Sequence, residues 1–296
     1  MYVMQHGILL FHIDIVLSSV ISTRSKKPES LMANHGNHCN DISCHNCYIP
    51  HTTAPIHVFK NVAPKLVPFT KFVCIYFVAW TPYENPNLYA AIIKCLPILA
   101  LFAFVCLQHT TNYEESKYRY CVLLGLLLSC VGDFLLIWEE LFGYGVCFFG
   151  CAHIAYICGF GWLEPFNVRL GIGIYALGIL TYLLVLPVLP QVVAIVTGLY
   201  CITISTAAWR AVARVEFTWE IWKWTKLFAA IGTVLFCISD TMIVFSMFRG
   251  WSLPGNFQRG IVMSTYYTAQ LGIALSAVNH QKLLMESLAL QKPRTD

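Results

Sequence analysis

The sequence predicts an all-α membrane protein with eight transmembrane helices, and three observations carry that expectation. Of its 296 residues, 57% are hydrophobic and 11% charged, and the mean hydropathy is +0.63, whereas an ordinary soluble domain is about 45–50% apolar. After residue 65, apolar windows of roughly 17–22 residues recur, the length that crosses a hydrocarbon core about 30 Å thick. Lysine and arginine gather in alternate connections between these windows, the asymmetry that fixes the orientation of a polytopic chain.

The helices are expected at about 67–81, 89–108, 119–138, 143–162, 170–188, 190–208, 226–248 and 259–279. Lys60, Lys65 and Lys71 at the front place the start of the first on the cytosolic side. The second carries Lys94 early in its run, and the third is the stretch that includes "GLLLSCVGDFLLIW". Lys117 and Arg119 before the third helix, and Arg169 after the fourth, repeat the cytosolic signal. Pro187 and Pro190 form a turn between the fifth and sixth helices. Arg210, Arg214, Lys223 and Lys226 form a cytosolic cluster before the seventh, with Trp219, Trp222 and Trp224 as interfacial anchors. Only Arg249 and Arg259 fall on the opposite side, and Lys282, Lys292 and Arg294 follow the eighth helix, so both ends of the core are expected in the cytosol.

Three regions follow: an extension over 1–65, expected to be disordered with a weak apolar segment at 7–22; an eight-helix domain over 66–280; and a cytosolic tail over 281–296. Asp14 interrupts the apolar segment and no basic run precedes it, so a cleaved signal is not expected. His35, His38, Cys39, Cys44, His45 and Cys47 supply soft ligands with one Cys-x-x-Cys spacing, but no second ligand pair lies at the distance a zinc site uses, and we read the stretch as a polar tail. The other cysteines lie in or beside the spans at no regular spacing and suggest small apolar residues, not a disulfide framework. A net charge of +4 without a contiguous basic face implies no nucleic-acid partner.

Two acids stand out. Between residues 66 and 280 all the others fall in or beside loops, whereas Asp133 and Asp240 sit inside spans, where a carboxylate costs about 2.5–3.5 kcal/mol on insertion scales. Each lies about 14 residues from the cytosolic start of its expected helix, roughly 21 Å at 1.5 Å per residue, so the two share a depth. Their surroundings match: "GLLLSCVGD" ends on Asp133 and "GTVLFCISD" ends on Asp240, four helices later. A four-plus-four parallel pseudo-repeat about the membrane normal would bring the two helices face to face.

Other polar residues reach the same layer: Lys94, His153, and Tyr266, Tyr267 and Gln270 in "TYYTAQLGIAL". Singly, each is an ordinary snorkelling lysine, core histidine or packed tyrosine. Together with two acids at one depth they point to a polar pocket. A lone span histidine and the lack of G-x-S-x-G argue against a serine hydrolase, and we expect no metal and no cofactor in the core.

The ordered segments "LVPFTKFVCIYFVAW", "IIKCLPIL", "LLSCVGDFLLIW", "GCAHIAYICGF", "GTVLFCISD" and "TYYTAQLGIALSA" resemble the successive signatures of the lysoplasmalogenase family of eight-span proteins, also called YhhN. The resemblance covers about 67–280 and implies hydrolysis of the alkenyl ether bond of a lysoplasmalogen, a lysophospholipid, by water. The products would be a fatty aldehyde and glycerophosphoethanolamine or glycerophosphocholine, and the resemblance implies the endoplasmic reticulum membrane as the location. A vinyl ether is cleaved after protonation of its β-carbon, which generates an oxocarbenium ion that water captures. One acid must therefore carry a proton while an anion stabilises the cation and activates water, a division of roles that two buried carboxylates can sustain. On this reading Asp133 and Asp240 are the catalytic pair and Lys94 meets a substrate phosphate. His153, Tyr266, Tyr267 and Gln270 are then the other candidate substrate contacts. The competing classes are a transporter or receptor that uses the pair for protons or an amine, and a structural protein in which the acids hold helices together.

Overall fold

In the computed structural model the chain is described over residues 55–79, 87–108, 110, 112–162, 166–215, 224–250 and 257–278. The segment 7–22, the histidine and cysteine cluster around 35–47, Trp219, Trp222 and the tail 281–296 lie outside those residues.

The described chain is all helix and turn, with eight α-helices: α1 (Pro55–Ala79), α2 (Leu88–Cys106), α3 (Tyr113–Leu135), α4 (Phe142–Phe160), α5 (Val168–Val185), α6 (Gln191–Ala213), α7 (Trp224–Arg249) and α8 (Phe257–Leu275). Each overlaps one expected span, and α1 to α7 are long and apolar enough to cross a membrane. The protein is an integral, multi-pass, all-α membrane protein. α8 is more polar because Gln258, Tyr266, Tyr267 and Gln270 point into the bundle, where all four are buried.

Three ends differ from expectation, each for a physical reason. α1 starts at Pro55, not 67, and runs through Pro64 and Pro68, which hydropathy windows and the helix-breaking reputation of proline both discount. α3 starts at Tyr113, not 119: "YEESKYR" reads as a loop by charge, yet Glu114 and Glu115 in the first turn favour the positive end of the helix dipole. α6 continues to Ala213 and takes Arg210 with it. Arg210, expected in a cytosolic loop, is fully buried, with Nε donating to the Gly161 carbonyl at 2.9 Å and the guanidinium over the Phe166 ring.

The most extensive packing is α3 on α4 and α7 on α8; α4 also packs on α6, and α2 on both α3 and α8. Within lipid, apolar contact alone drives little helix association, so close packing must supply it. Gly232 and Gly272 provide that approach. A Cβ on Gly232 would fall 2.7 Å from the Ala269 carbonyl oxygen of α8, and one on Gly272 would fall 2.8 Å from the Phe228 carbonyl oxygen of α7. Backbone cannot yield as a side-chain tip does, so Gly232→Ala should cost about 1–3 kcal/mol of stability, as overpacking does. Thermal unfolding in detergent checks this, and a variant that melts with the parent would show that the two helices part freely. Farther along α7, Ser239 Oγ donates to the Val262 carbonyl at 3.1 Å and ties the turn that carries Asp240 to α8.

Candidate active site

Asp133 lies in the last turn of α3 and Asp240 two-thirds of the way along α7, and both line one cavity. This cavity spans about 580 Å³ of space between its walls, the solvent at its mouth included, and is partly open to the surroundings. Lys94 of α2, Thr197 and Tyr200 of α6, and Tyr266 of α8 supply the remaining polar wall. The rest is apolar, including Phe142, Val146 and Phe149 of α4, Ile243 of α7 and Met263 of α8. Six helices thus contribute, and the cavity sits toward the end of the bundle where α3 finishes and α4 begins.

The two carboxylates have different neighbours. Lys94 Nζ stands 3.3 Å from Asp133 Oδ1, and the Tyr266 hydroxyl donates to Asp133 Oδ2. One oxygen therefore faces an ammonium and the other a hydroxyl, the satisfaction that a buried ion pair requires. Asp133 is 2% exposed, whereas Asp240 is more open toward the cavity. Asp240 Oδ2 accepts from the Tyr200 hydroxyl, and among the described residues no cation pairs with Asp240.

Behind these groups lies a second layer. Gln270 Nε2 donates to the Tyr266 hydroxyl at 3.3 Å, and the Tyr156 hydroxyl donates to Gln270 Oε1 at 3.0 Å. The Tyr267 hydroxyl donates to the Lys94 carbonyl at 3.0 Å, which fixes the turn of α2 that carries the lysine. Next to it, Cys95 Sγ reaches the Cys130 carbonyl at 3.4 Å, one turn below Asp133, and joins α2 to α3. His153 is fully buried, with Nε2 3.1 Å from the Tyr200 hydroxyl.

Of the residues picked out in the sequence, Lys94, Asp133, Asp240 and Tyr266 therefore meet in one cavity. His153, Tyr267 and Gln270 stand one layer behind it, and Lys94, expected against a phosphate, has its ammonium on Asp133. Thr197 and Tyr200 were not legible. A tyrosine in "TGLYCIT" carries no charge and looks the same whether its tip meets a carboxylate, a carbonyl or the membrane interface. Among the described residues no group of three or more His, Cys, Asp or Glu side chains is placed to hold a metal ion.

The YhhN family model matches residues 89–277, which takes in every cavity residue. The chain belongs to the YhhN family. It is similar to a protein of Bos taurus named lysoplasmalogenase TMEM86A, at 38% identity over 234 residues that cover 77% of this chain and 95% of the relative. It is also similar to lysoplasmalogenase TMEM86B of Sus scrofa, at 32% identity over 75% of this chain and 90% of the relative. A lysoplasmalogenase homolog of Dictyostelium discoideum is 30% identical over 64% of this chain and 75% of that protein. No solved structure matches the chain. The family match begins at residue 89, so α1 lies outside it, whereas Lys94 at the head of α2 lies within.

Proposed function

We propose that this YhhN-family protein is a membrane-embedded lysoplasmalogenase, a hydrolase of lipid metabolism that cleaves the vinyl ether bond of a lysoplasmalogen with water. The observation that carries the mechanism is the unequal pair of carboxylates on one cavity: Asp133 with an ammonium 3.3 Å from Oδ1, and Asp240 with no ion pair among the described residues. Asp133 is then the ionised partner and Asp240 the proton donor. Asp240 protonates the alkenyl β-carbon, and the oxocarbenium ion that forms is stabilised by the Asp133 carboxylate. Water adds to the cationic carbon and gives its proton to Asp133, which leaves a neutral hemiacetal. In the collapse Asp133 returns that proton to the departing glyceryl oxygen, while the hemiacetal hydroxyl proton passes to Asp240 as the aldehyde forms. Each carboxyl ends as it began, so the cycle needs no proton from outside.

The apolar wall suits the alkenyl chain, and Thr197 and the partly open mouth suit the polar glycerophospho end. Aldehyde release from purified protein supplied with a 1-alkenyl lysophospholipid tests the reading. Binding of the lipid without aldehyde would turn it toward a receptor or transporter. The membrane we assign is that of the endoplasmic reticulum, with both ends of the core cytosolic and the cavity toward the lumenal side. Cysteines introduced at Gly250 and Met285, in a background without reactive thiols, should label from opposite sides. Labelling of both from one side would overturn the topology.

A further inference from the structure

Each carboxylate is held by the same device, a tyrosine hydroxyl that donates to Oδ2: Tyr266 to Asp133 and Tyr200 to Asp240. A hydroxyl has one proton, so a tyrosine that gives it to a carboxylate must itself accept from a second donor if its direction is to be fixed. For Tyr266 that donor is Gln270, itself held by Tyr156. For Tyr200 it is His153, whose Nε2 is 3.1 Å away.

The surroundings of His153 show what this contact is for. The imidazole is fully enclosed, with the rings of Tyr156 and Phe236 edge-on against it. Its Nδ1 has no hydrogen-bond partner among the described residues. An unsatisfied buried nitrogen costs about 1–3 kcal/mol, a cost that an apolar side chain of similar volume would avoid. Only the Nε2 contact distinguishes the histidine from such a filler.

We infer that His153 and Tyr200 are positioning residues that set which oxygen of Asp240 carries the transferable proton, an inference that rests on the catalytic reading above. With Tyr200 donating to Oδ2, the ring nitrogen must be the donor to Tyr200, so His153 is the neutral Nε2–H tautomer and its bare Nδ1 lone pair is the orphan. The Tyr200 proton then occupies Oδ2 in both charge states of Asp240. Oδ1 holds the proton before transfer to the alkenyl carbon and receives it again from the hemiacetal hydroxyl. His153 neither gains nor loses a proton in this cycle, consistent with its complete enclosure. Gln270 does the same for Asp133, but there Oδ1 faces Lys94, so the two similar cradles yield one acid and one anion.

The test uses the full-length protein in lipid nanodiscs, a 1-alkenyl lysophosphoethanolamine as substrate, and four variants. Tyr200→Phe deletes one oxygen, His153→Leu deletes the donor, His153→Gln keeps an N–H at a similar reach, and Asp240→Asn removes the acid. We expect Tyr200→Phe and His153→Leu to lower kcat by about 10–10²-fold with KM little changed, the scale seen for groups that orient a reactive ligand. His153→Gln should recover most of the loss. A His153→Gln as slow as His153→Leu would make the imidazole a packing group and overturn the inference. So would parental kcat in Tyr200→Phe, which removes too little to unfold the bundle, beside an inactive Asp240→Asn. If Asp240→Asn itself turns over at the parental rate, the catalytic reading falls first and this inference with it.

Discussion

Asparagine at either aspartate should slow aldehyde release by at least the about 10²–10⁴-fold typical of general acid–base groups. Asp240→Asn keeps the shape and leaves Tyr200 a carbonyl to donate to, but removes the only proton the mechanism delivers to carbon. Asp133→Asn removes the anion that stabilises the oxocarbenium ion and accepts the proton of water. The two variants should differ in stability. Asp240 forms no ion pair among the described residues, so its amide should fold much as the parent does. Asp133→Asn removes the carboxylate that pairs with the Lys94 ammonium, and breaking one side of a buried ion pair costs about 3–5 kcal/mol. Aldehyde release, thermal unfolding and a solvent deuterium isotope effect on the parent rate read these points separately. Two folded variants that release aldehyde at the parental rate would make the aspartates helix-to-helix ties and nothing more.

The Lys94–Asp133 pair gives the second prediction. Lys94→Met should both destabilise the protein, by about 3–5 kcal/mol, and remove most turnover, because among the described residues Asp133 then keeps only the Tyr266 hydroxyl as a hydrogen-bond partner. The double variant Lys94→Met with Asp133→Asn removes both charges together. Replacing a whole buried pair by neutral groups is often neutral or stabilising, so the double variant should regain stability that each single variant lost. It should not regain activity, because the anion is gone. A double-variant cycle on thermal stability measures the coupling. Additive losses would mean that the pair is not the unit drawn here, and a fast double variant would free Asp133 of any chemical role.

The sequence by itself determined the all-helical membrane fold and the two acids. A lipid-embedded chain must satisfy its backbone within each segment, so helix is the only economical state for its apolar windows, and their length and order can be read directly. A carboxylate inside such a window is costly enough to stand out without any knowledge of its neighbours, and for that reason Asp133 and Asp240 were legible. The helix ends were less so. Hydropathy sees the lipid-facing part of a helix but not the prolines of α1, the charged first turns of α3 or the buried Arg210 of α6, which continue each helix for reasons of local geometry and packing. What only the tertiary structure decided is which partner each acid has. Lys94 and Asp133 come from different helices, as do Tyr200 and Asp240, and their meeting depends on how each helix is rotated about its axis, a quantity fixed by close contacts such as Gly232 against α8 and Tyr156 against Gly125. Two aspartates whose preceding stretches share Gly, Leu, Cys and Asp in register therefore look alike in the chain, and become an ion-paired carboxylate and one with no ion pair among the described residues only when α2 lies beside α3 and α6 beside α7.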